Sequence, residues 1–356
     1  MKKIREVLLA SLLLLSMAGL IVYSKDVSEA VLQSVKRCVG VIVPSLFAFM
    51  ALSGFMIRSG VITYISKPFD LTVGKLLKLP AGTSGLLLIS NIAGYPVGAS
   101  MLADAVRKGK IDRRCAEIMS VFCYAGGPAY LINAVGTGIF GSKKAGISVF
   151  LSILTANLLL AAVMCRIYKP KAEIRTDGRK VSSEDLICSV TDAGEKIFDM
   201  CFMIIWFSAI LAAAEGTGLP ARIGNTLGLT PSEGIMIRSM FEITSSSALD
   251  KNAYGLLPWL AVLCSFGGVC VILQLKTVIK GSFGSKLFWK WMPIRGVLVY
   301  SLNRIYNWIF LDDNMPAFAR DKEIIVELDN LLPSLCLIMM IFILVLQKRL
   351  DFLKRV

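Results

Sequence analysis

Glu242 carries the strongest chemical signal in this chain. It sits in "GIMIRSMFEITSSS", with Arg238 four residues before it and Thr244, Ser245, Ser246 and Ser247 just after. A carboxylate inside an apolar segment is costly unless it is paired or faces a cavity. Two readings follow: a local Arg238–Glu242 pair on one helical face, or a carboxylate lining a polar solute site. The hydroxyls carry the same choice, binding a solute or bonding back to their own helix. A second set of candidates offers backbone chemistry. "SNIAGYPVGAS" at 90–100 places Gly94, Tyr95 and Pro96 in the middle of an apolar run, where proline lacks a donor and glycine weakens a helix. A helix broken there frees amides and carbonyls, and its ends add partial charges suited to a polar solute. Such irregular backbone survives at membrane depth only where protein buries it or a cavity borders it.

Nothing comparable points to catalysis. There is no histidine, which removes the usual general base and metal ligand. No His-Glu-x-x-His, Gly-x-Ser-x-Gly or Walker A motif occurs. The nine cysteines form no Cys-x-x-Cys pair and read as small buried hydrophobes. No catalytic residue, cofactor or metal is expected, and the chain is not expected to be an enzyme.

These residues need elements to position them, and composition fixes the class of element. Of 356 residues, 55% are hydrophobic, with a mean hydropathy of +0.68, so an all-α polytopic membrane protein is expected. Apolar windows predict about eight transmembrane helices, near 7–23, 38–57, 115–140, 145–165, 197–214, 255–275, 292–310 and 331–347. The first, after "MKKIRE", lacks a clear cleavage site and reads as a retained span. Two further segments, 82–106 and 233–250, are interrupted at their midpoints. Each half reaches only roughly 18 Å of the ~30 Å a span needs, so both are expected to be re-entrant helical hairpins. With both termini on the inner side, most of the 39 Lys and Arg then fall inside, including "RKGKIDRR" at 107–114, while 312–322 lies outside. That bias accounts for the net charge of +14 without nucleic acid.

The chain also repeats itself. "FCYAGGPAYLI" at 122–132 resembles "LCSFGGVCVIL" at 263–273, and "VGKLLKLPAG" at 73–82 resembles "IGNTLGLTPSEG" at 223–234. The interrupted hairpins lie between these markers in the same order and enter from opposite sides. Inverted-topology repeats are expected over 38–165 and 197–310. An N-terminal span and outer loop (1–37), a cytoplasmic linker (166–196) and an outer acidic loop with a C-terminal span (311–356) complete the chain. Inverted repeats serve alternating access around a midplane site. The substrate-binding residues expected there are Gly94, Tyr95, Pro96, Tyr124, Gly126, Gly127, Glu242, Thr244, Ser245, Ser265, Gly267 and Gly268. Asn91, Asn133 and Ser246 are candidates for an ion, although an interhelical hydrogen bond is the favoured reading of the two asparagines. Tyr300, Asn303, Arg304, Tyr306 and Asn307 read as scaffold, with Arg304 paired or snorkelling outward.

"GYPVGASMLADAVRKGKI", "FCYAGGPAYLINAVGTGIFGS", "FEITSSS" and "CSFGGVCVILQLK" resemble the nucleoside-recognition (Gate) domain membrane family, most closely its sporulation integral membrane, YlbJ-like, group. The similarity covers about 38–310. It implies distant kinship with concentrative nucleoside transporters, whose sites combine two hairpin tips and two broken helices. It also implies a role in spore formation, with a dipicolinate-like or nucleoside-like solute, in the bacterial cell membrane or the membrane around the forespore. The chain departs from the family where "CYAGGP" replaces an expected Asn or Ser. The function expected is transport of a small polar or anionic metabolite; the alternative is a non-transporting structural or assembly protein of spore formation. The partners expected are the lipid bilayer, a small-molecule solute, a coupling ion and a second copy of the chain, with no nucleic acid.

Overall fold

The apolar runs become helices. A computed structural model describes residues 2–172 and 182–311, and no strand occurs among them. The first half runs through α1 (Lys2–Val22), α2 (Ser24–Arg37), a π-helical turn (Cys38–Ile42), α3 (Val43–Arg58) and α4 (Ile62–Phe69). A second π-helical turn (Asp70–Gly74) leads to α5 (Lys75–Leu77), α6 (Ser84–Ala93), α7 (Val97–Arg107) and α8 (Arg113–Met119). A long π-helical segment (Ala129–Ile139) and α9 (Lys143–Tyr168) close this half. The second half holds α10 (Ser183–Gly216), α11 (Leu219–Thr226), α12 (Pro231–Phe241) and short 3₁₀ turns at Ile243–Ala248 and Tyr254–Leu256. It ends with α13 (Leu257–Phe266), α14 (Gly268–Ile279) and α15 (Lys286–Leu311).

Local chemistry sets several starts. Asp112 accepts from the Cys115 amide at the head of α8, and Ser142 from the Ala145 amide at the head of α9. Ser182 with Asp185, and Thr230 with Glu233, form reciprocal capping boxes on α10 and α12. The Ser182 box corrects the expected linker over 166–196. α10 starts at Ser183, inside the expected linker, and its Asp192 and Lys196 are anchored by Arg58 and by Asp104.

Among the described residues, three helical stretches are long and apolar enough to cross a membrane: Lys143–Tyr168, Ser183–Gly216 and Tyr254–Ile279. A fourth is added if Leu46–Arg58 and Ile62–Leu77, bent by 89°, count as one span. Leu13–Val22, Ser84–Ala93 and Ala129–Ile139 are apolar but short. The expected span at 115–140 is not one helix, since α8 stops at Met119 and helix resumes only at Ala129. The expected span at 331–347 lies outside the described residues. Large apolar side chains face outward along the long helices, among them Leu15 and Ile21 of α1, Phe198 and Phe202 of α10, and Val297 and Trp308 of α15. Exposed apolar surface on this scale suits a hydrocarbon environment.

The two halves share an order of elements: long helix (α3, α10), short helices, interrupted pair, broken helix, long helix (α9, α15). α3 packs on α10, and α9 on α15. The upstream markers also fold alike. The Leu79 amide donates to Gly74 O and the Leu229 amide to Gly224 O, both at 2.9 Å. The residue before each leucine is left-handed, Lys78 at φ 57° and Gly228 at φ 67°, which is a helix C-terminal cap.

Candidate functional site

Both interrupted segments break where the sequence places the interruption. α6 ends at Ala93, and Gly94 (φ +81°), Tyr95 and Pro96 lead into α7. The chain folds back there: a Cβ on Gly98 would stand 2.6 Å from Ser90 Cβ, and closer still to Cys123 O. α12 ends at Phe241, and Glu242 is extended at φ −135°, ψ 106° before the 3₁₀ turn. The Gly-Gly pairs interrupt the next two helices. Gly126 and Gly127 lie in an irregular stretch, while Gly267 and Gly268 are both left-handed at φ +79° and +78°.

The same contact recurs in both halves. A Cβ on Gly127 would lie 3.3 Å from Ala93 O, on the last carbonyls of α6. A Cβ on Gly268 would lie 3.0 Å from Met240 O and 3.3 Å from Phe241 O, on the last carbonyls of α12. Each interruption thus seats on the second glycine of its own half. The Tyr95 amide also donates to Ala125 O at 2.6 Å.

The halves then meet through these breaks. Tyr124 donates its hydroxyl to Phe266 O at 2.8 Å. The Tyr95 and Tyr124 rings stack with centroids 5.2 Å apart, and Tyr95 Cζ would lie 3.0 Å from a Cβ on Gly267. Around this point Tyr95 Oη and Glu242 Oε2 are buried without a hydrogen-bond partner.

Glu242 is 3% exposed. Its Oε1 accepts from the Thr244 amide at 3.2 Å and the Thr244 hydroxyl at 2.9 Å, and Arg37 donates to that hydroxyl. The Cys270 thiol stands beside the carboxylate. The Arg238–Glu242 pair, one of the two readings of this carboxylate, does not form: Arg238 bonds Glu215 at 3.0 Å on the surface. The helix ends one residue before Glu242, so the i, i+4 geometry is lost at the residue that needed it.

The remaining hydroxyls are divided. Ser246 donates to Ile243 O and Ser265 to Val262 O, both at 2.7 Å, so they satisfy their own backbone. Tyr130 also reaches Ser246. Ser245 donates its amide to Glu242 O and is half-buried with Thr244. Asn91 is buried and accepts from Asn157 at 2.6 Å; Asn133 is exposed on the π-helical segment and does not join it. The scaffold residues form a ladder between α9 and α15. Ser148 donates to Asn307 at 2.7 Å, Asn307 to Asn303 at 2.9 Å, and Thr155 bonds Tyr306, while Arg304 is exposed.

Sequence reasoning passed over three members of this region. Arg37 and Asn157 gave no signal, one at a predicted span edge and the other a lone amide. Arg295 did give one, as an arginine in "WMPIRGVLVY" with no acid within reach along the helix. A pocket of about 540 Å³ opens elsewhere, between α2 and α10, lined by Asp26, Glu29, Gln33 and Glu215 among others. It shares no residue with the meeting point of the breaks. The chain matches no protein-family model, no curated protein and no solved structure.

Proposed function

We propose that this chain is an integral membrane transporter, moving a small polar or anionic metabolite by alternating access between two inverted repeats. One observation carries the reading. Four interruptions, two from each half, meet around Tyr95, Tyr124, Glu242 and Gly267, and leave Tyr95 Oη and Glu242 Oε2 buried without partners. An unsatisfied buried carboxylate oxygen is expensive, and a solute donor relieves that cost. The stacked tyrosine rings suit a planar ring. Of the two solute classes, a nucleoside-like molecule with hydroxyl donors matches Glu242 better than a dicarboxylate, whose charge would oppose it. The motif likeness to the Gate-domain family points the same way, toward the bacterial cell membrane and spore formation.

Purified protein in proteoliposomes tests the reading with labelled uridine and labelled dipicolinate. Time-dependent uptake of one of them, cut about tenfold or more by Glu242→Gln, is the expected result. Folded protein that transports neither solute would overturn it and leave the structural or assembly role.

A further inference from the structure

Arg295 is the largest fully buried side chain among the described residues, at 1% exposure on α15. Its Nη1 donates to Val121 O at 2.8 Å and its Nη2 to Tyr124 O. Nε has no partner, and the guanidinium stands 5.7 Å from the centroid of the Tyr124 ring. No carboxylate among the described residues forms a salt bridge with it. A buried cation without a counter-charge is the costliest arrangement for an ionised group, so the surrounding oxygens must supply the compensation.

Those oxygens form a coherent set. The irregular stretch after α8 presents Val121 O, Phe122 O and Tyr124 O. Asn91 donates to Phe122 O at 3.5 Å, and Asn157 donates to Tyr124 O at 3.3 Å and to Asn91 Oδ1 at 2.6 Å. Asn157 Oδ1 is buried without a partner. Neutral carbonyl and amide oxygens without a carboxylate are the ligands of a weakly hydrated monovalent cation. Here the positive charge arrives on a side chain that does not lose its proton.

We propose that Arg295 is an internal cation: its guanidinium fills the place that a bound Na⁺ or K⁺ would take among the oxygens of 121–124. The first broken helix then keeps its form without a metal ion, and the ion expected at Asn91 has no vacancy there. The inference stands apart from transport, because its test reads stability alone.

Thermal unfolding of the purified full chain would be followed in choline, sodium, potassium and methylguanidinium chloride at equal ionic strength. The wild type should melt at the same temperature in choline, sodium and potassium. Arg295→Ala should melt lower in choline, by on the order of 5 °C or more, and regain much of the loss with millimolar methylguanidinium or sodium. Arg295→Lys should stay within a few degrees of the wild type. Marked stabilisation of the wild type by sodium or potassium would overturn the proposal. So would an alanine variant that no cation restores, or Arg295→Met melting as high as the wild type. If the alanine variant does not fold, the other two decide: folded Lys with unfolded Met supports the internal cation, and the reverse order refutes it.

Discussion

Glu242 is satisfied through one oxygen and open at the other, and that asymmetry sets what its variants should do. Glu242→Gln keeps an acceptor for the Thr244 amide and hydroxyl and places an amide nitrogen where Oε2 stood. The variant should keep its melting temperature within a few degrees while losing most uptake. Arg238→Met provides the contrast. Its partner is Glu215, with side chains 48% and 41% exposed, and such a pair contributes at most about 1 kcal/mol. Both stability and uptake should survive that change. Loss of uptake in Arg238→Met with normal Glu242→Gln transport would reverse the assignment. Tyr124→Phe tests the join between the halves. It removes the hydroxyl that donates to Phe266 O and should cost about 1 kcal/mol, read as a drop of a few degrees in melting temperature.

At the scale of elements, the glycines separate into those that touch backbone and those that do not. Gly98 packs α7 against Ser90 of α6 and against Cys123 O. Gly98→Ala should therefore cost about 1–3 kcal/mol by overpacking and loosen the hairpin. Gly194, within α10, has nothing within 4 Å of an added Cβ, so Gly194→Ala should gain up to about 1 kcal/mol from helix propensity. Thermal unfolding of the two variants should move in opposite directions. The repeated caps give a further contrast. Lys78 holds a left-handed φ of 57° where the second half uses Gly228. Lys78→Gly should stabilise the cap by about 1 kcal/mol or less, since glycine carries no Cβ penalty there. The stretch "GTGIFGS" at 136–142 also finds its reason in packing. A Cβ on Gly136 would lie 2.6 Å from Gly146 Cα, which seats the π-helical segment against α9, while Ser142 caps that helix.

For the whole molecule, the charge distribution predicts sidedness. Single cysteines at 110 and 315 in a cysteine-free background should react with an impermeant maleimide from opposite faces of a sealed vesicle. Reaction of both from one face would break the two-hairpin topology. Position 110 follows α7, and position 315 lies outside the described residues. The ion pair between Lys196 and Asp104, at 2.9 Å with side chains 15% and 8% exposed, ties the first interrupted pair to α10.

The sequence by itself determined the helical class, the apolar character and the places where helices stop. Those features are local: Gly94 with Pro96, and the paired glycines, interrupt their helices through their own backbones, whereas Pro293 stays inside α15. The Ser182 cap is equally local but was passed over in the linker expected over 166–196. The repeated markers were legible for the same reason, because a Gly-x-x-Leu-x-Leu cap folds from contacts within six residues. Partner choice depended on the tertiary structure. Arg238 and Glu242 are spaced for a helical pair, yet the backbone leaves the helix at Glu242, so Thr244, itself bonded by Arg37, attends the carboxylate and Glu215 takes the arginine. Asn91 bonds Asn157 rather than joining Asn133, and Arg295 closes on carbonyls 171 and 174 residues away in sequence. A hydrogen bond over such a separation is set by how α9 and α15 pack around the breaks, and no spacing along the chain encodes that distance.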